Sequence, residues 1–509
     1  MASQPILLKG GTLLIHDDDD NVVPIKADLL VEGDVITRIE ADITPAAGAR
    51  VVDCASKIVS PGFISTHAHL WQSQLKGRHA NHTLVDYMPS GCYSGSFYTL
   101  ADLFWGQLAG AMESVDAGTT TVVDHSHLNL GPDYPKTAIH ALSTSGLRTI
   151  YCYSPERRTA SFSPLKLEEE PAPGAETLSA FAALASPPTP HGNGRVTLGF
   201  ANDNIYLPPS ALQSLYAKLR SPAARAQVIT THAQGGAAFG GRPPAVAALG
   251  GAGLLGPDVL LSHAPGLAAE DVSVLAAAGA AVSSTPNTEM QMGMDPVALW
   301  RGVYAAGVGS LGVDCHTWGT SYMPAQMTLA LQARRLGRAG EVGREDGSSG
   351  REWVRRVEGT PAEAFNLGTV CGARAVGMAG SVGRLRVGFK ADVVVFDGLS
   401  PGMAVAAQED PVAAVVLHSS VRDVEMVLVD GVVRKEGGRL CDVLVEGAPE
   451  GLGELSAPLG KGLAWRDVAR ETLKSRDALN GRFQGVDFAR AAEDVIDMWH
   501  MDRSTMVEK

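Results

Sequence analysis

The chain reads as an α/β protein built on a (β/α)8 barrel of the TIM type. Three observations predict this. Short apolar or β-branched runs alternate with stretches rich in Ala, Leu and polar residues, several of the runs end in a histidine or aspartate, and both ends of the chain carry turn-bounded segments of alternating apolar and polar residues.

Eight runs supply the barrel strands, at approximately 62–67, 119–124, 148–153, 196–201, 228–232, 259–263, 280–285 and 309–314. Between them, Leu100 to Ala117 and Ser210 to Leu219 have the helical spacing of crossovers. Residues 5–60, with turn signals at Gly10-Gly11 and Glu32-Gly33-Asp34, and residues 383–436 read instead as short strands.

The first run, Pro61-Gly62-Phe63-Ile64-Ser65-Thr66-His67-Ala68-His69, ends in two histidines one residue apart. Alternate residues of a strand share a face, so His67 and His69 point the same way with Cα atoms ~7 Å apart, close enough to converge on one metal ion. Val228 to His232, Val259 to His263 and Gly309 to Asp314 each end in a further ligand type. In a parallel barrel the carboxyl ends of all strands open onto one face, where such side chains meet.

Composition narrows the function. The formal charge is −13, from 42 basic and 55 acidic residues, and no basic cluster stands out, which disfavours nucleic acid and leaves a small molecule as the partner. With 45% hydrophobic and 19% charged residues and no apolar run long enough to span a bilayer, nothing points to a membrane. The amino terminus lacks a secretory pattern, so a cytoplasmic location is expected. Cys54, Cys92, Cys152, Cys315, Cys371 and Cys441 are scattered without a Cys-x-x-Cys pair and read as reduced thiols.

These motifs resemble the amidohydrolase superfamily, in the branch of chlorohydrolases, guanine deaminase and adenosylhomocysteine-type deaminases. The resemblance rests on Pro61 to His69, on Ala117-Gly118-Thr119-Thr120-Thr121-Val122-Val123-Asp124, on the His232 and His263 strands, on Leu311 to Asp314 and on Gly383 to Val395, all in the family's order. It implies a composite β-sandwich domain from residues 1–60 and 383–440, a metal-dependent barrel over 61–382, and a helical extension over 441–509. Association of identical chains is left open.

His67, His69 and His232 offer imidazole nitrogens and Asp314 a carboxylate, a set that suits Zn2+, with Fe2+ as the alternative, and leaves one position for water. A bound cation lowers the pKa of that water from ~15.7 toward ~7. The resemblance implies that Asp314 also accepts a proton and that His263 polarises the substrate. Relatives with two metals place a carbamylated Lys at the end of the fourth strand, where this chain has Val196 to Asp203 without a Lys, so one divalent ion is expected.

One departure stands out. Deaminases of this branch carry a Glu three residues after the fifth-strand histidine, whereas His232-Ala233-Gln234-Gly235 puts Gly235 there, beside a Gln234 that cannot titrate. Glu289, just after the seventh strand, is the candidate replacement acid. His125, His127 and His316 follow the second and eighth strands and are candidates for substrate binding, with Gln234 and with Trp71 and Gln74 of the long Leu70–Tyr98 connection, an aromatic-rich lid. Residues 155–194 and Gly340 to Gly350 read as solvated loops.

The leading expectation is a mononuclear metal-dependent hydrolase acting on a non-peptide C–N bond of a cyclic amidine, heteroaromatic amine or small amide. Two alternatives stand beside it: a non-hydrolytic decarboxylase or hydratase using the same site, and a metal-free scaffold.

Overall fold

The computed structural model describes residues 4–168, 175–186, 190–235, 237–240, 244–294, 296, 302–341, 355–445 and 462–506. The barrel strands are Phe63–His69, Thr119–Ser126, Arg148–Tyr153, Val196–Ala201, Ile229–Ala233, Val259–His263 and Ala281–Ser284, followed by an eighth in two pieces, Gly309–Leu311 and Asp314–Cys315. Every neighbouring pair is parallel. The first piece of the eighth strand pairs with the seventh and the second piece with the first, which closes the ring.

The break has a steric cause. Gly312 N–H donates to Ser284 O and Val313 N–H to His67 O, so the chain crosses from one neighbour to the other within two residues. A Cβ on Gly312 would lie 2.7 Å from His67 O, a close approach that only glycine allows. Asp314 then takes a left-handed φ of 61°, a strained conformation that aims its carboxylate at the mouth.

The crossover Leu100–Asp116 is a helix because Thr99 caps it: the Thr99 hydroxyl accepts from Asp102 N–H, and the Asp102 carboxylate accepts from Thr99 N–H in return. Its apolar face, with Leu103, Ala111 and Val115, joins the main core.

Strands from both ends of the chain form one nine-stranded mixed sheet beside the barrel. Lys57–Pro61 and Val393–Asp397 run antiparallel, with Val393 opposite Pro61. The two-residue period splits their side chains. Val393 and Val395 join Leu8, Leu13 and Leu29 in the core of the β-domain, while Val394 and Phe396 face the barrel core. Arg148 of the third barrel strand clamps the junction with a buried bidentate pair to Asp392, both contacts at 3.0 Å, and a third contact of 2.9 Å to Asp430.

Two regions differ from the sequence reading. Residues 155–194 are not simply loop: a hairpin, Thr159–Phe162 with Leu165–Leu167, and a helix, Ala175–Ala185, lie within them. Short apolar anchors explain this, since Phe181 is fully buried against Phe200 and Leu165 packs in a cluster with Ala491 and Val495. The Gly340–Gly350 segment falls almost wholly outside the described residues.

The C-terminal helices Trp465–Arg482 and Phe488–Met498 hold the long first connection in place. Arg482 pairs with Asp102 at 2.7 Å and bonds Phe97 O, and Ala491 and Val495 pack on Tyr87, Cys92 and Tyr93. Among the described residues no helix is long and apolar enough to cross a membrane.

Candidate metal centre

Strand parity brings the expected residues together. His67 and His69 leave the first strand on one face, and His232, His263 and Asp314 reach the same point from the fifth, sixth and eighth strands. His67 Nε2 and His69 Nε2 lie 3.3 and 3.2 Å from Asp314 Oδ1, and His232 Nε2 lies 3.4 Å from His69 Nε2.

The other ring nitrogen of each imidazole decides the tautomer. His69 Nδ1 is 2.7 Å from His125 O, a carbonyl that can only accept, so Nδ1 carries a proton and Nε2 faces the site. His232 Nδ1 donates to Asp203 Oδ2 at 2.9 Å, with the same consequence. His67 Nδ1 lies 2.9 Å from Ser262 Oγ, and burial pushes this imidazole well below its ordinary pKa, keeping it neutral. The Nε2 atoms of His67 and His69 thus face one carboxylate oxygen of Asp314, and that of His232 faces His69 Nε2.

A cation at the centre would satisfy these facing ligand atoms together. A tetrahedral ion with bonds of ~2.0–2.1 Å sets neighbouring ligand atoms ~3.3 Å apart, which matches the observed 3.2, 3.3 and 3.4 Å. The ligand groups join His67 and His69 with His232 on one side and His67 or His69 with Asp314 on the other, imidazole and carboxylate donors, buried or nearly so, of the kind a divalent metal of the zinc type takes. Burial by itself would raise the Asp314 carboxyl, but its contacts with His67 and His69 outweigh this and hold it well below the usual range.

His263 stands beside this set at a left-handed φ of 70°. Its Nδ1 is 2.9 Å from Thr285 Oγ1 and 3.6 Å from Glu289 Oε1. Burial works against the charged ring, yet the carboxylates of Glu289 and Asp314 prevail and raise its pKa. Glu289 itself is fully buried, with Oε1 accepting from Thr285 N–H at 2.7 Å and Oε2 from Ser284 Oγ at 2.6 Å. Its place is behind His263, where it orients that ring.

The remaining expected residues divide. His127 stacks on His69 with ring centroids 4.3 Å apart, and His125 lies 4.2 Å from the His232 ring, so both belong to the mouth. Trp71 is fully buried edge-on to Tyr98 and His127, and Gln234 lies half-buried just past the fifth strand. Gln74 and His316 are turned elsewhere. The Gln74 amide donates to Asp102 O and Ser475 Oγ at 2.7 and 3.0 Å, and His316 is taken up by Glu113 and Ser321, each at 3.2 Å.

Four residues at the site escaped the sequence reading. Asp203, two positions past the fourth strand, grips His232 through both its ring and its backbone N–H. Ser262 and Thr285 bond the inner nitrogens of His67 and His263. Glu156 shares a cavity with Tyr93, Ser96, His127 and Arg157, and burial together with the charge of Asp203 pushes its carboxyl up to about 7. The signal for Asp203 is its position just past the end of the fourth barrel strand.

Residues 237–434 match the model of the amidohydrolase family. Among characterised relatives, the 5-methylthioadenosine/S-adenosylhomocysteine deaminase of Thermococcus onnurineus is 26% identical over 448 residues, covering 84% of this chain and 93% of that protein. The isoxanthopterin deaminase of an unknown prokaryotic organism is 29% identical over 405 residues, covering 74% and 81%. In fold, the chain is similar to atrazine chlorohydrolase from Arthrobacter aurescens TC1 complexed with zinc, with a TM-score of 0.69 at 20% identity over 92% of this chain and 100% of that one. It is also similar to an adenosine deaminase from Xanthomonas campestris with bound zinc, with a TM-score of 0.70 at 16% identity over 94% and 98%. The chain thus carries a match to the amidohydrolase family over residues 237–434 and is similar along most of its length to deaminases of adenosine-type and pterin compounds.

Proposed function

We propose that this protein is a metal-dependent amidohydrolase that cleaves a non-peptide C–N bond, by deamination or by amide or amidine hydrolysis, in a small cyclic or aromatic substrate. The observation that carries the reading is that His69 Nε2 lies at ligand spacing from both Asp314 Oδ1 and His232 Nε2. The relatives named as deaminases of adenosine-type and pterin compounds support the substrate class.

His67, His69, His232 and Asp314 would hold one divalent ion, zinc in preference to iron, which supplies Lewis acidity and an activated water when bound. Asp314, kept ionised, accepts a proton from the nucleophile and passes it toward the leaving nitrogen. His263, backed by Glu289, presents its Nε2 side to the substrate and stabilises negative charge developing there. Because Gly235 replaces a titrating residue, proton traffic at the substrate falls to these groups.

The test is release of ammonia from a panel of aminated pyrimidines, purines, pterins and triazines, assayed with zinc-loaded protein before and after chelation. Metal-dependent release from at least one ring class is the expected result. Turnover unaffected by chelation, or a carbon acid decarboxylated in place of any C–N cleavage, contradicts the reading.

A further inference from the structure

A second group of ligand-type side chains lies beside the first and shares only His232 with it. His125, His127, Asp203 and His232 each place one ligand atom within 4.8 Å of all the others. His125 and His127 extend from the second strand with the same two-residue period that sets His67 and His69, and Asp203 comes from the end of the fourth.

Their hydrogen bonding is incomplete. Both ring nitrogens of His125 and Nδ1 of His127 are buried without a hydrogen-bond partner among the described residues. His125 Nε2 does lie 3.3 Å from Asp203 Oδ2, outside hydrogen-bond alignment but at the spacing of two ligands on one tetrahedral ion. A buried imidazole with no partner on either nitrogen calls for an explanation, and a bound ion is a standard one.

We propose that His125, His127 and Asp203 bind a second divalent cation of the zinc class next to the ion of the first set, with Asp203 joining the two sites through its bond from His232 Nδ1. Three protein ligands leave an open position toward the cavity that His127 shares with Glu156. This arrangement differs from a carbamylated-lysine bridge, because no bridging lysine ends the fourth strand and the second-strand imidazoles replace it. The inference concerns metal binding and is independent of which bond is hydrolysed.

The experiment is metal stoichiometry. The full chain is stripped with chelator, reloaded with Zn2+, freed of excess and measured by elemental analysis, with zinc titration calorimetry alongside. Two equivalents are expected for the unaltered protein. One is expected for His127→Ala and for His125→Asn, the second variant guarding against a packing defect in the first, with circular dichroism confirming the fold of each. His69→Ala should also retain one equivalent. A single equivalent in the unaltered protein, unchanged in His127→Ala and His125→Asn, overturns the proposal while leaving the first site standing. Two equivalents that persist in both of those variants overturn it as well.

Discussion

His69 and His316 end neighbouring strands of the same barrel, yet they live in opposite surroundings. His69 Nε2 faces Asp314 Oδ1 and His232 Nε2, whereas His316 lies between Glu113 and Ser321, each 3.2 Å away. Only Cys315 separates Asp314 from His316, and the strained turn at Asp314 sends the first inward and the second toward the helix that carries Glu113. Position at the end of a strand therefore does not make a histidine a ligand. What matters is which groups its nitrogens face.

That contrast can be broken most severely at its inner member. Asp314→Asn keeps the shape but removes the charge and the proton acceptor, and it should lower kcat by ~10²–10⁴-fold with loss of tightly bound zinc, as read by steady-state kinetics and elemental analysis. Unfolding midpoints close to those of the parent would show that the loss is chemical.

At the outer member the effect should fall on stability. Burial alone would raise the Glu113 carboxyl, but His316 and Lys76 lower it to about 2. A carboxylate depressed from its usual ~4.5 contributes stability that is present above that value and lost as the pH falls toward 2, an effect on the order of 3 kcal/mol. Glu113→Gln should thus lower the denaturant midpoint at pH 7 and flatten the acid limb of stability between about 4.5 and 2, with zinc content unchanged. Loss of metal in this variant would contradict the division between the two neighbourhoods.

Smaller effects should come from the residues that orient the inner set. Glu289→Gln, behind His263, should cost ~10–100-fold in kcat. Asp203 bonds His232 and belongs to the second set of ligands, so Asp203→Asn should cost ~10–100-fold in zinc affinity at the first site together with the second equivalent of zinc. Equal losses of both quantities in both variants would blur the assignment of Glu289 to the catalytic imidazole and Asp203 to a ligand.

Much of this was legible in the residues. The alternation of apolar runs and helical stretches placed the eight strands within a residue or two, because the two periods are set by backbone geometry. His67, His69, His232, His263 and Asp314 were visible because each stands at the end of such a run. Orientation past a strand end was not. The turn of Asp314, the outward swing of His316 and the capture of Gln74 by Asp102 and Ser475 depend on segments hundreds of residues away, among them the helix Trp465–Arg482. The partners Ser262, Thr285 and Asp203 were hidden for a related reason, since a short polar residue next to a ligand carries no pattern of its own.

The central claim is that one divalent ion is gathered by residues from the first, fifth and eighth strands. Anomalous diffraction at the zinc edge from crystals of the zinc-loaded protein tests it directly. The account predicts a peak within bonding distance of His67 Nε2, His69 Nε2, His232 Nε2 and Asp314. A map without a peak among those four atoms, from crystals of protein loaded to full stoichiometry, would contradict it.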